Sequence, residues 1–157
     1  MDARLNLFAD PTTGKAFKHL MAAGKVIKDS ALPAATQELV SLRVSQINAC
    51  AVCIDIHTKE ATAAGETPVR LHLVAAWREA TVFTEAERAA LELAEEGTRT
   101  ADGAGGVSDE VWGRAAEHYD EGELNALVLL IALMNLANRI NVITQQPGGT
   151  YEVGQLH

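Results

Sequence analysis

Apolar positions along the chain recur three and four residues apart, the spacing of one helix face, and each run is bracketed by helix start and stop signals. Asp10-Pro11 reads as an N-cap followed by proline at the first helical position, ahead of Phe17, Leu20, Met21 and Val26. Pro33 starts a second helix with Leu39, Val40 and Leu42 on its apolar face, and a third is predicted from about 49 to 64, stopping at Gly65. Thr67-Pro68 opens a fourth through Leu71, Leu73, Val74 and Trp77, and Thr84-x-x-Glu87 is a capping box before Ala89, Leu91, Leu93 and Ala94. The loop Gly103-Ala-Gly-Gly106 precedes a short helix that begins at Ser108-Asp109-Glu110 and carries Val111, Trp112 and Ala115. Asp120-x-x-Glu123 caps the last and longest helix, which is expected to reach about Ile143. Strand alternation is almost absent, and there is no repeat, low-complexity tract or linker. The pattern predicts one all-α domain of about seven helices over residues 1–157.

The last helix is apolar nearly all round from Leu124 to Ala137. That suits a helix covered on every side, by its own domain or by another subunit. The longest uninterrupted apolar run, Ala126 to Met134, is nine residues, against the roughly 20 a membrane span needs. A net charge of −8 and a pI near 5.0 argue against nucleic-acid or anionic-membrane partners, which require clustered Lys and Arg. The opening Met1-Asp-Ala-Arg-Leu-Asn lacks a basic-then-apolar signal pattern, so a cytoplasmic protein is expected.

In that compartment the two cysteines, spaced Cys-x-x-Cys, point to redox or metal chemistry rather than a structural staple. Cys50, Cys53 and His57 fall on one helical stripe. Glu38, twelve residues before Cys50, would be roughly 18 Å away along one unbroken helix. It joins them only if the chain reverses, and Gln46-Ile47-Asn48-Ala49 is the expected place, with Asn48 as N-cap of the cysteine helix. A thiolate, a second thiol within bonding reach and a nearby base are the minimum equipment for reducing a hydroperoxide. Helix-dipole reasoning favours Cys50 as the attacking thiol, whereas the spacing to His57 favours Cys53.

The pattern Glu-x11-Cys-x-x-Cys-x-x-x-His resembles the alkylhydroperoxidase AhpD and carboxymuconolactone decarboxylase superfamily. Leu42-Arg43-Val44-Ser45-Gln46-Ile47-Asn48, His57-Thr58-Lys59-Glu60-Ala61, Ala76-Trp77-Arg78-Glu79 and Asn135-x-x-Asn138-Arg139 are similar to its AhpD-type branch, over roughly residues 5 to 145. The resemblance implies a helical peroxidase in which Cys53 attacks the peroxide, Cys50 resolves the sulfenic acid, and Glu38 and His57 relay the proton. It also implies a hydroperoxide substrate, a thiol or dithiol electron donor, no cofactor or metal, and a homo-oligomer, often a trimer or hexamer. The chain departs from the best-known peroxidase pattern at Val52, where that pattern has a further relay histidine.

Other readings compete. Two helical cysteines can be small buried hydrophobes. Zinc would need an unusual ligand set for a structural site, and haem attachment is excluded because Ile54 stands where the histidine would follow Cys53. A redox sensor that cycles without turnover, and the superfamily's lactone decarboxylase chemistry, are the functional alternatives. Asp55 points off the stripe and reads as surface, and His19, His72, His118 and His157, with no partner pattern, read as ordinary surface or packing residues. Trp77 reads as core and Arg78 as the partner of a nearby carboxylate. Asn135 and Asn138, polar in an apolar helix, are expected to hydrogen-bond a specific partner: a neighbouring subunit, the surroundings of the site, or backbone.

Overall fold

The computed structural model describes residues 2–103 and 105–155. Its regular structure is α1 (Pro11–Lys28), α2 (Ala34–Ile47), α3 (Ala51–Ala63), α4 (Pro68–Leu73) with a 3-10 turn at Val74–Ala76, α5 (Glu85–Thr98), α6 (Asp109–His118) and α7 (Glu121–Ile143). No strand occurs among the described residues. Ala104, within the predicted Gly-rich loop, and His157 lie outside them.

The caps at Asp10, Thr84, Ser108 and Asp120 form where the sequence places them. Asp10 accepts the Thr13 N–H at 2.7 Å, Ser108 accepts from Val111, and Thr84/Glu87 and Asp120/Glu123 close reciprocal capping boxes. The fourth helix is shorter than its apolar period predicts. The α-helix ends at Leu73 and a 3-10 turn carries the chain to Ala76, after which the Arg88 guanidinium satisfies the carbonyls of Trp77, Arg78 and Ala80 at 2.9–3.0 Å.

Two apolar clusters meet along α2. Val40 and Val44 join Ile27, Leu93, Leu127 and Ile131, whereas Leu39 and Leu42 join Leu71, Val74, Trp77 and Leu91. A helix buried on two sides shows little amphipathicity, and that is the pattern of α2. Its Glu38 is one of the few α2 residues left half-buried.

Helix α7 packs on α1, α2, α3, α5 and α6 through Leu124, Leu127, Leu130, Ile131 and Met134. It is not covered on every side: Val128, Leu129, Leu136 and Ile143 remain exposed, Leu129 by 58% and Ile143 by 66%. With 23 residues it is long and apolar enough to cross a membrane by length and composition alone, although its asparagines interrupt every apolar run. Its packed face and buried Asn135 and Asn138 make it a central helix of this fold. Helix α1 also departs from expectation: of its residues only Ile27 is buried, and Met21 and Val26 are exposed.

Candidate active site

The reversal between α2 and α3 takes three residues, Asn48, Ala49 and Cys50. Ala49 N–H reaches the Gln46 carbonyl at 3.2 Å and Cys50 N–H reaches that of Ser45 at 3.0 Å, the paired bonds of a Schellman stop. Its left-handed position, usually glycine, is held by Ala49 at φ 54°. Cys50, the residue after it, is the N-cap of α3. Asn48 is therefore the C-cap of α2 and not the N-cap of α3. Backbone bonds close the turn, which frees its side chain to donate to Asn135 and Asn138 Oδ1 at 3.0 and 3.1 Å. Asn138 also donates to Ser45 Oγ and Asn135 to Thr98 Oγ1, both at 3.2 Å. The two asparagines thus fasten α7 to the end of α2 and to the turn beside the cysteines.

Cys50 as N-cap and Cys53 as third residue of α3 both lie in its first turn, so the helix dipole favours negative charge on either sulfur and does not choose between them. The sulfurs are bonded to each other at 2.16 Å. This is the oxidised state, in which neither thiol is available to ligate zinc. Among the described residues, no group of three or more His, Cys, Asp or Glu side chains is arranged to hold a metal ion. Both cysteines are buried, 1% and 3% exposed.

Because α2 and α3 fold back on each other, Glu38 meets His57: Oε2 lies 2.9 Å from Nδ1, with the side chains 25% and 18% exposed. A carboxylate is an acceptor only, so Nδ1 carries the proton of this bond while the imidazole is neutral, and Nε2 is free to exchange one. His57 stands one turn beyond Cys53 on α3. The four predicted side chains thus form two pairs, Cys50 bonded to Cys53 and Glu38 to His57. Asn141 of α7 was not anticipated: its Nδ2 lies 3.3 Å from Cys53 Sγ. The available signal was a third asparagine three residues after Asn138.

Asp55 is not a surface residue. Its carboxylate accepts the N–H groups of Gly149 (2.6 Å) and Tyr151 (3.1 Å) and pairs with Lys59 at 2.7 Å. Burial pushes its pKa up, but the bonds from Lys59, Tyr151 and Gly149 outweigh burial and hold it below the usual carboxylate range. Lys59 donates to the Tyr151 carbonyl at 2.8 Å and Glu60 accepts from the Gly154 N–H at 2.8 Å. This clamps the segment after α7 onto the cysteine helix. At Gly148 a Cβ would lie 2.6 Å from the Ala51 carbonyl oxygen, so only glycine permits that approach over the first turn of α3.

Trp77 is core and Arg78 pairs with a carboxylate, as expected; both reach the buried Glu95, together with Arg43 at 2.7 Å. Burial pushes the Glu95 pKa up, and hydrogen bonds from Arg78, Trp77 and Arg43 more than reverse this, leaving it lowered. Glu79 is exposed, as are His19, His72 and His118.

A redox-capable Cys-x-x-Cys helix inside an all-α fold defines the class. The chain belongs to the carboxymuconolactone decarboxylase family, whose model matches residues 11–96. It is 42% identical over 125 residues to the uncharacterized protein YdfG of Bacillus subtilis, covering 80% of this chain and 84% of that one. A protein of unknown function from Agrobacterium tumefaciens, provisionally assigned to antioxidant defence as an AhpD, superposes with a TM-score of 0.87 at 32% identity, covering 96% of this chain and 100% of that one. The debrominase Bmp8 shares the fold alone, with a TM-score of 0.78 at 20% identity over 92% of this chain and 75% of that one.

Proposed function

We propose that this protein is a thiol-dependent peroxidase that reduces organic hydroperoxides by cycling Cys50 and Cys53 between dithiol and disulfide. The observation that carries this reading is a Cys50–Cys53 disulfide one helical turn from a histidine held by a carboxylate. The likeness to the Agrobacterium antioxidant-defence protein supports it.

In the reduced protein, His57 Nε2 takes the Cys53 proton while Glu38 stabilises the imidazolium through Nδ1–H. The Cys53 thiolate attacks the outer oxygen of the hydroperoxide, the O–O bond breaks, and the departing alkoxide takes the proton from His57 to leave as an alcohol. Cys53 becomes a sulfenic acid. Cys50 then condenses with it, forming the disulfide and releasing water. An external dithiol restores the pair by thiol–disulfide exchange and is itself oxidised to a disulfide. No cofactor takes part. The exposed α7 stripe of Val128, Leu129, Leu136 and Ile143 is the face a second copy of the chain would cover in a trimer or hexamer, and the cytoplasm supplies the reductants the cycle needs.

The burial of both sulfurs favours a second reading, a redox sensor oxidised once per event. The test is consumption of tert-butyl hydroperoxide per protein molecule with dithiothreitol, alongside intact mass for the loss of two hydrogens. Many turnovers are expected, abolished by Cys53→Ser, with Cys50→Ser forming no intramolecular disulfide. One equivalent consumed and no more, despite reductant, would establish the sensor, and no disulfide at all would sink both.

A further inference from the structure

Helix α7 spends three asparagines, at 135, 138 and 141, on its contacts with the redox hairpin. The first two accept from the Asn48 amide of the turn, and Asn138 donates to Ser45 Oγ of α2, which accounts for them structurally. The third points its Nδ2 at Cys53 Sγ, 3.3 Å away. A neutral sulfur is a weak acceptor and rewards an amide donor little, whereas a thiolate accepts such a bond strongly. The donor is also rooted: the Asn141 carbonyl accepts from Gln146 N–H at 2.9 Å in a second Schellman stop and from Thr144 Oγ1 at 3.4 Å.

We propose that Asn141 is a further catalytic residue, whose amide donates a hydrogen bond to the Cys53 thiolate and makes this thiol the more acidic and reactive of the pair. The proposal rests on Cys53 being the attacking thiol. It supplies the asymmetry the helix dipole lacks, since both sulfurs share the first turn of α3 but Asn141 reaches Cys53 alone. As Cys53 gains an oxygen its charge leaves with the alkoxide. The bond is therefore strongest before attack and adds to the population of reactive thiolate at neutral pH.

The test uses Cys50→Ser, which leaves Cys53 as the one thiol, and follows the pH dependence of iodoacetamide alkylation together with the thiolate ultraviolet absorbance. Asn141→Leu removes the donor at similar volume and should raise the midpoint by about one to two pH units. Asn141→Asp keeps the shape, places a carboxylate against the sulfur and should raise it further. If the leucine variant does not fold, Asn141→Ala, which also removes the donor and adds no charge, carries the test. A merely structural role would alter melting or the alkylation plateau and leave the midpoint where it was. A midpoint equal to the parent's in the leucine or alanine variant would overturn the proposal. Hydroperoxide turnover of the parent with Cys50 intact is measured beside it: a shifted midpoint with no turnover would keep Asn141 as the thiolate's donor and remove the peroxidase.

Discussion

Glu38 and Glu95 are both acids set against the contacts of α2, and the protein treats them in opposite ways. Glu95 is buried and surrounded, taking bonds from Arg43, Trp77 and Arg78, with Arg99 3.7 Å away. Arg78 also stacks on the Trp77 ring at 4.3 Å. Glu38 is half-buried and its recorded partner is His57. An acid whose acceptor sites are filled by permanent cations cannot exchange a proton near neutrality and serves to lock helices together. An acid with acceptor capacity in hand, bonded to an imidazole, can follow a proton transfer. Under the proposed function, the contrast separates scaffold from machinery within one small fold.

The comparison can be broken most forcefully at Glu95. Glu95→Ala leaves Arg43 and the Trp77 N–H without their acceptor and should cost about 3–5 kcal/mol of stability in urea unfolding. Turnover by the fraction still folded should be unchanged; a stable variant, or a folded one without activity, would erase the division. Because the folded pKa of Glu95 is depressed, its contribution is present above the ordinary value of 4.5 and lost as pH falls through the lower folded value. Acid unfolding should therefore steepen below about pH 4.5, and Glu95→Gln should flatten that limb.

Glu38→Gln sharpens the other half. It should slow hydroperoxide reduction by about a hundredfold and change stability by less than about 1 kcal/mol, as for a partly exposed pair. Equal rates with parent and variant would remove the proton relay. The smallest effect is expected at Asp55→Asn, which weakens two backbone bonds and the Lys59 pair for about 1 kcal/mol. Its signature is earlier cleavage within 145–155 in limited proteolysis, with α2 and α3 intact.

Local signals carried most of the fold and site. The caps at Asp10, Thr84, Ser108 and Asp120 are short-range hydrogen-bond patterns, and the Cys50–Cys53–His57 stripe needs only helical spacing. Glu38 was singled out by the family resemblance, and reach added only that a carboxylate twelve residues from a cysteine requires a reversal. The misses share a cause, since each is settled by a distant partner. Asn48 has the chemistry of an N-cap, but a backbone-closed turn leaves its amide to α7. Asp55 lies off the stripe and is covered by Gly149 and Tyr151, 94 and 96 residues further on. Trp77 lies past the helix end, where its Nε1–H donates to Glu95 and its carbonyl accepts from Arg88, both distant in sequence. Asn141 has meaning only beside a sulfur on another helix.

Ala49 has a consequence for how freely this sequence can drift. Its backbone sits in a region that costs an L-residue with a Cβ about 1–2 kcal/mol and glycine nothing. In a library of random variants, position 49 should be enriched in glycine, tolerate asparagine, and be purged of valine, isoleucine and threonine. That filter acts with no contact to substrate, so the mutational record at one alanine would trace the geometry that lets an acid and a thiol pair meet.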